Sequence, residues 1–111
     1  MNRDAMTLEG FQRHIRARYY DTDSARGTAA TFLWFIEEVG ELATALQRAA
    51  ADADRTSQDA PANQAGSREN LEEEFADVLA WLCTLANIND VDLTEAVRKK
   101  YLTGEGPAGR K

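Results

Sequence analysis

Glu38 and Glu41 stand three residues apart in "FIEEVGEL" (35–42), and Glu74 and Asp77 stand three apart in "NLEEEFADVL" (70–79). In a helix that spacing leaves two side chains about 60° apart around the axis, so each pair points the same way and forms a two-carboxylate claw. Both claws border apolar stripes, where a bare carboxylate is costly unless something compensates it. If the two helices pack antiparallel, four oxygen donors face one cleft. Carboxylates that close either hold protons at raised pKa or surround cations. Hard, oxygen-only donors select Mg²⁺, with Mn²⁺ as a substitute, over zinc or copper, and Mg²⁺ is commonly shared between carboxylates and the phosphates of a substrate. A di-iron bundle would want Glu-x-x-His on its helices. The one histidine, His14, lies elsewhere. A solvated, Glu-rich helix face is the plain alternative for either claw alone; two claws in successive long helices bring metal binding level with it.

The elements that must position the claws are helical. Apolar residues recur at three- and four-residue intervals nearly throughout, and both prolines fall in loop-like contexts. Thr7 is a suitable N-cap for a first helix of about 8–20, carrying Leu8, Phe11, Ile15 and Tyr19, which "YDTDSARGT" then breaks. A second helix of about 28–50 bears the broad stripe Phe32, Phe35, Ile36, Val39, Leu42, Ala43 and Leu46. A third, of about 69–88, bears Leu71, Phe75, Val78, Leu79, Leu82 and Leu85, and a short fourth, of about 92–102, uses Leu93, Ala96, Val97 and Tyr101. The stretch Ala49–Arg68 lacks any large apolar residue and is expected to be a mobile loop within a domain of residues 1–102; residues 103–111 are expected to be a disordered tail. The fold class is therefore all-α: a helical bundle of three long helices plus a short C-terminal helix. A core of this size supplies little stability alone, so oligomerisation should complete it, as a homodimer or a dimer of dimers.

Composition excludes several classes. The chain has 111 residues, a formal charge of −6, and neither an apolar run of spanning length nor a signal peptide, so no membrane association is expected. Net negative charge opposes nucleic-acid binding. A polyanionic ligand would need metal ions as a bridge. One cysteine, Cys83, rules out an intramolecular disulfide framework and a cysteine-based zinc site, and fits a reducing cytoplasm.

Glu37-Glu38-Val39-Gly40-Glu41, followed by Glu74-Phe75-Ala76-Asp77, resembles the EExxE…ExxD signature of the MazG-like all-α nucleotide pyrophosphohydrolases. The likeness runs from about residue 28 to Tyr101 and takes in "ADVLAWLCTLAN" and "VDLTEAVRKKY". It implies a Mg²⁺-dependent enzyme that splits a nucleoside triphosphate into the monophosphate and pyrophosphate, with Glu38, Glu41, Glu74 and Asp77 as metal ligands. Glu37 or one of the bridging glutamates would accept the proton of the attacking water. Lys100 falls where the family places a phosphate-binding lysine. Two departures are visible: a longer gap between the claws, and Thr103-Gly104-Glu105 where polar or basic residues often follow that lysine. Phosphoribosyl-ATP pyrophosphohydrolase, of the same superfamily, ranks lower because its second motif usually continues into Tyr-His, where this chain has Ala80-Trp81. A non-catalytic helical oligomerisation module is the reading from another class. Trp34 lies four residues before Glu38 and Trp81 four after Asp77, so antiparallel packing would put both indoles at one end of the acids as a wall for the base. Their plain alternative is core packing. His14 is a further, weaker candidate for the same pocket.

Overall fold

The computed structural model describes residues 6–54 and 60–103, with the backbone alone for 60–65. The described chain is all-α, without strands. Its four helices are α1 (Leu8–Arg26), α2 (Thr28–Ala53), α3 (Ala60–Ile88) and α4 (Leu93–Tyr101). None of them is long and apolar enough to cross a membrane.

Thr7 caps α1 as its sequence position predicts: it is extended, and its hydroxyl accepts from the Gly10 N–H at 2.9 Å. The expectation that "YDTDSARGT" breaks this helix is corrected, because α1 continues to Arg26. Asp23, within that segment, is buried and fully engaged. It accepts from the Thr84 hydroxyl at 3.0 Å and pairs with Arg26 at 3.0 Å. Tertiary partners thus override a modest propensity. The helix stops at Gly27, whose φ of 85° carries the chain out of the α region while its N–H donates to the Asp23 carbonyl.

The expected loop over Ala49–Arg68 is likewise corrected in extent. α2 runs on to Ala53 and α3 begins at Ala60. Alanine needs no buried partner to favour a helix, and Pro61 sits in the first turn of α3, where its missing N–H would have had no partner. Residues 55–59, and with them the centre of that expectation, lie outside the described residues, as do residues 104–111 of the expected tail.

The chain divides into two compact units. One comprises the described parts of Met1–Thr28 and Cys83–Lys111, and here α1 packs on α4. Gln12 organises it. Its amide donates to Asn87 Oδ1 at 3.0 Å and to the Val91 carbonyl at 2.8 Å, and its Oε1 accepts from the Leu93 N–H at 3.0 Å. The Asn87 amide answers by donating to the Gln12 carbonyl at 3.3 Å. The α3–α4 turn closes with Val91 N–H on the Ala86 carbonyl and Asp90 N–H on the Asn87 carbonyl. Asp90 (φ 55°) takes the left-handed position that glycine usually fills. Asp92 then caps α4, accepting from the Glu95 N–H. Cys83 in this unit is fully buried, and burial pushes its thiol pKa up.

The second unit, Ala29–Leu82, is the α2 and α3 hairpin. Trp34 stacks on Trp81, and Glu41 meets Glu74, so a step forward along one helix is a step back along the other: the pair is antiparallel. Thr31, Ala45, Asp52 and Leu71 are buried. Much of the expected apolar stripe is nevertheless open in the single chain, including Phe32, Ile36, Val39 and Leu46 on α2 and Phe75, at 54% exposure, on α3.

Candidate metal centre

The claws meet inside the hairpin. Carboxylate oxygens of Glu38, Glu41 and Glu74 lie within 4.8 Å of one another. Asp77, exposed on α3, stands outside that trio, yet its charge reaches both Glu38 and Glu74. Each acid is where it is because α2 and α3 are regular through the motif and antiparallel, so two i, i+3 pairs confront each other.

The electrostatics are those of an uncompensated cluster. Glu38 is pushed up to about 7, first by burial, then by the charges of Glu41, Asp77 and Glu74, and by a hydrogen bond with Glu41. Glu74 is raised as well, by loss of solvent and then by Glu41 and Asp77. Oε2 of Glu38 and Oε2 of Glu74 are both buried and accept no hydrogen bond. A buried carboxylate oxygen without a donor costs more than an ordinary lost hydrogen bond, since the group carries charge. What satisfies such oxygens is a proton or a cation. An oxygen-only donor set, crowded and partly out of water, fits a hard divalent ion.

Beside the trio opens a cleft of about 320 Å³ lined by Glu41, Thr44, Arg48, Asn70 and Glu74. Thr44, Arg48 and Asn70 were not among the residues singled out from sequence. The signal was present in part: Thr44 and Arg48 follow Glu41 by three and seven positions, and Asn70 precedes Glu74 by four, so all share the acids' faces. Which of many such neighbours line a cleft depends on the facing helix, which periodicity along one helix does not encode.

The other expected residues divide between the units. The two indoles come together as expected, but onto each other: their centroids are 6.3 Å apart and their planes 14° from parallel. Trp34 remains half exposed. Glu37 is exposed on α2, next in sequence to the trio but not part of it. His14 is half-buried on α1, and Lys100 is exposed on α4, its Nζ 5.8 Å from the centroid of the Tyr101 ring. Both belong to the unit that does not carry the carboxylates.

The raised Glu38 sets a direction for stability against pH. A carboxyl whose folded pKa lies above its unfolded value binds more protons when folded, so its contribution is complete below the unfolded value and is lost as pH rises through the folded one. For Glu38 the window runs from 4.5 to about 7. Thermal melts in a chelator should show wild type losing stability relative to Glu38→Gln across that window, with no further relative loss above it. Two parallel melting curves would remove the crowding argument.

A family model for the MazG nucleotide pyrophosphohydrolase domain matches residues 26–102, a span that holds the trio, Asp77 and the cleft. No individual curated protein matches the chain closely enough to add to that finding. Over most of its length, and in the part that gathers the carboxylates, this chain belongs to the MazG nucleotide pyrophosphohydrolase domain family.

Proposed function

We propose that the chain is a Mg²⁺-dependent nucleoside triphosphate pyrophosphohydrolase that converts a (deoxy)nucleoside triphosphate to the monophosphate and pyrophosphate. One observation carries the reading: two buried carboxylate oxygens, on Glu38 and Glu74, have no donor while neighbouring carboxylates crowd both groups. Glu38, Glu41 and Glu74, with Asp77 at their margin, would hold the ion. A bound Mg²⁺ supplies charge neutralisation for the polyphosphate and acidifies water. In the reaction a water oxygen bonds to the α-phosphorus, the bond from that phosphorus to the α,β-bridging oxygen breaks, and pyrophosphate leaves with the bond's electrons. The water's proton goes to a carboxylate, either exposed Glu37 beside the cluster or an oxygen of the cluster itself. The hairpin's part is to keep the acids fixed so that no reorganisation is needed when charge develops.

Glu38→Gln, Glu41→Gln, Glu74→Gln and Asp77→Asn should each lower pyrophosphate release at least about a hundredfold, the scale on which a preorganised electrostatic contact is lost. Folding should survive, and the metal-free variants should melt at or above wild type because like-charge repulsion is relieved. Millimolar Mg²⁺ should raise the melting temperature of wild type through binding linkage, which a non-catalytic helical module would not show. Wild-type turnover in any two variants would sink the assignment. A panel of nucleotides in the same assay identifies the base and sugar.

We further propose a homodimer or dimer of dimers built on the open apolar residues of α2 and α3, in a cytoplasmic setting that keeps Cys83 reduced. Exposed apolar area on this scale in a monomer marks an interaction surface. Sedimentation at micromolar concentration should show no species of 12.3 kDa. A monodisperse monomer would contradict it.

The stacked Trp34 and Trp81 are proposed as an aromatic wall for the base or sugar, supported by the open half of Trp34 one turn from Glu38. Stacking of a base on such a wall is worth roughly 1–3 kcal/mol. Titration of a non-hydrolysable triphosphate in Mg²⁺ should perturb indole fluorescence, and Trp34→Leu should weaken binding at least about fivefold. Unchanged affinity in folded Trp34→Leu and Trp81→Leu would return the pair to a purely packing role.

A further inference from the structure

The hairpin has two different ends. On one side of the carboxylates stands the indole pair; on the other, the cleft formed by Thr44, Arg48 and Asn70 opens directly from Glu41 and Glu74. Among the described residues lining this cleft Arg48 is the one cation, and it makes no ion pair or hydrogen bond with the described residues. A guanidinium left unpaired within one cleft of two glutamates is not there to neutralise them. Seven positions beyond Glu41, it sits on the same face of α2, and helical side chains lean toward the N-terminus of their helix, which carries the guanidinium back toward the acids. Thr44, between them, spends its hydroxyl hydrogen on the Gly40 carbonyl at 3.3 Å, leaving Arg48 and the Asn70 amide as the cleft's available donors.

We propose that Arg48, assisted by Asn70, binds phosphate oxygens of the substrate's polyphosphate chain where that chain extends beyond the carboxylates into the cleft. This rests on the proposed function above and deepens it by adding a protein cation to the acid-bound end of the substrate. The chemistry favours phosphate over base. Both side chains offer forked N–H donors, which suit phosphate oxygens, and guanidinium binds phosphate bidentately. Among the described residues, no aromatic side chain lines the cleft to stack a base. The volume of about 320 Å³ also accommodates a phosphate chain together with its water.

The test uses binding, with the whole chain and with Arg48→Ala and Arg48→Lys, an exposed position whose replacement leaves folding intact. Calorimetry first measures Mn²⁺ or Mg²⁺ alone; the Ala variant should bind the cation as tightly as wild type or more so, since a positive charge is removed. Inorganic tripolyphosphate, which has no base, is then titrated in the presence of Mg²⁺, followed by non-hydrolysable triphosphates carrying different bases. Arg48→Ala should weaken tripolyphosphate about tenfold or more and every nucleotide by the same factor, with Arg48→Lys between the two. Unchanged tripolyphosphate affinity with a base-dependent loss for nucleotides would overturn the proposal and make the cleft a base reader. Equal affinities throughout would make Arg48 a solvated surface residue and leave the carboxylate site standing. Failure of wild type to bind the cation would bring down the proposed function, and this inference with it.

Discussion

Three glutamate carboxylates brought within 4.8 Å are held there against their own repulsion, and the hairpin is arranged around that constraint. Turning either helix by one residue would rotate its claw about 100° away and let the charges separate. The antiparallel register that pairs position 41 with 74 and position 34 with 81 must therefore be fixed by something other than the acids. Helices of 26 and 29 residues, with Ala45 and Leu71 buried and the indoles stacked beyond the far claw, supply that stiffness. The site is a stored electrostatic cost, and its release is the free energy available for binding a cation.

The other unit pairs most of its buried polar side chains, the Thr94 hydroxyl being an exception. Buried Gln12, Asn87, Asp23 and Thr84 all have partners, with both ends of the Gln12 amide in use. Against that economy, the unmatched Oε2 atoms of Glu38 and Glu74 are not a lapse of packing. Besides one neutral hydroxyl, that of Thr94, the bare buried side-chain oxygens among the described residues are these two carboxylate oxygens, close together and within the span that the family model matches.

Much of this was legible in one dimension. Helical periodicity placed the four helices, a threonine at the right position marked the N-terminus of α1, and the i, i+3 spacing of the acids fixed their shared faces. Other features were hidden by their physics. The final turns of α1 depend on Asp23 meeting Thr84, 61 positions away, so local propensity misread them. The ends of α2 and α3 near the connection are alanine-rich, and helix there follows from backbone preference with no apolar stripe to announce it. Arg48 was invisible for a third reason. Its place in the cleft is set jointly by Glu41 on its own helix and by Asn70 and Glu74 on the other.

Cys83, fully buried at the junction where α3 passes from one unit to the other, gives the molecule a built-in clock. Its thiol lies out of reach of solvent, and burial disfavours the thiolate, the form that reacts with alkylating reagents or oxidants. While the chain is closed the sulfur is chemically silent. Being the single cysteine, it assigns any modification to one point on one helix without ambiguity. The rate at which an electrophile modifies it is then the intrinsic rate of a free thiolate, scaled by the fraction of time that part of the chain stands open and by the fraction of thiolate that the opened state allows.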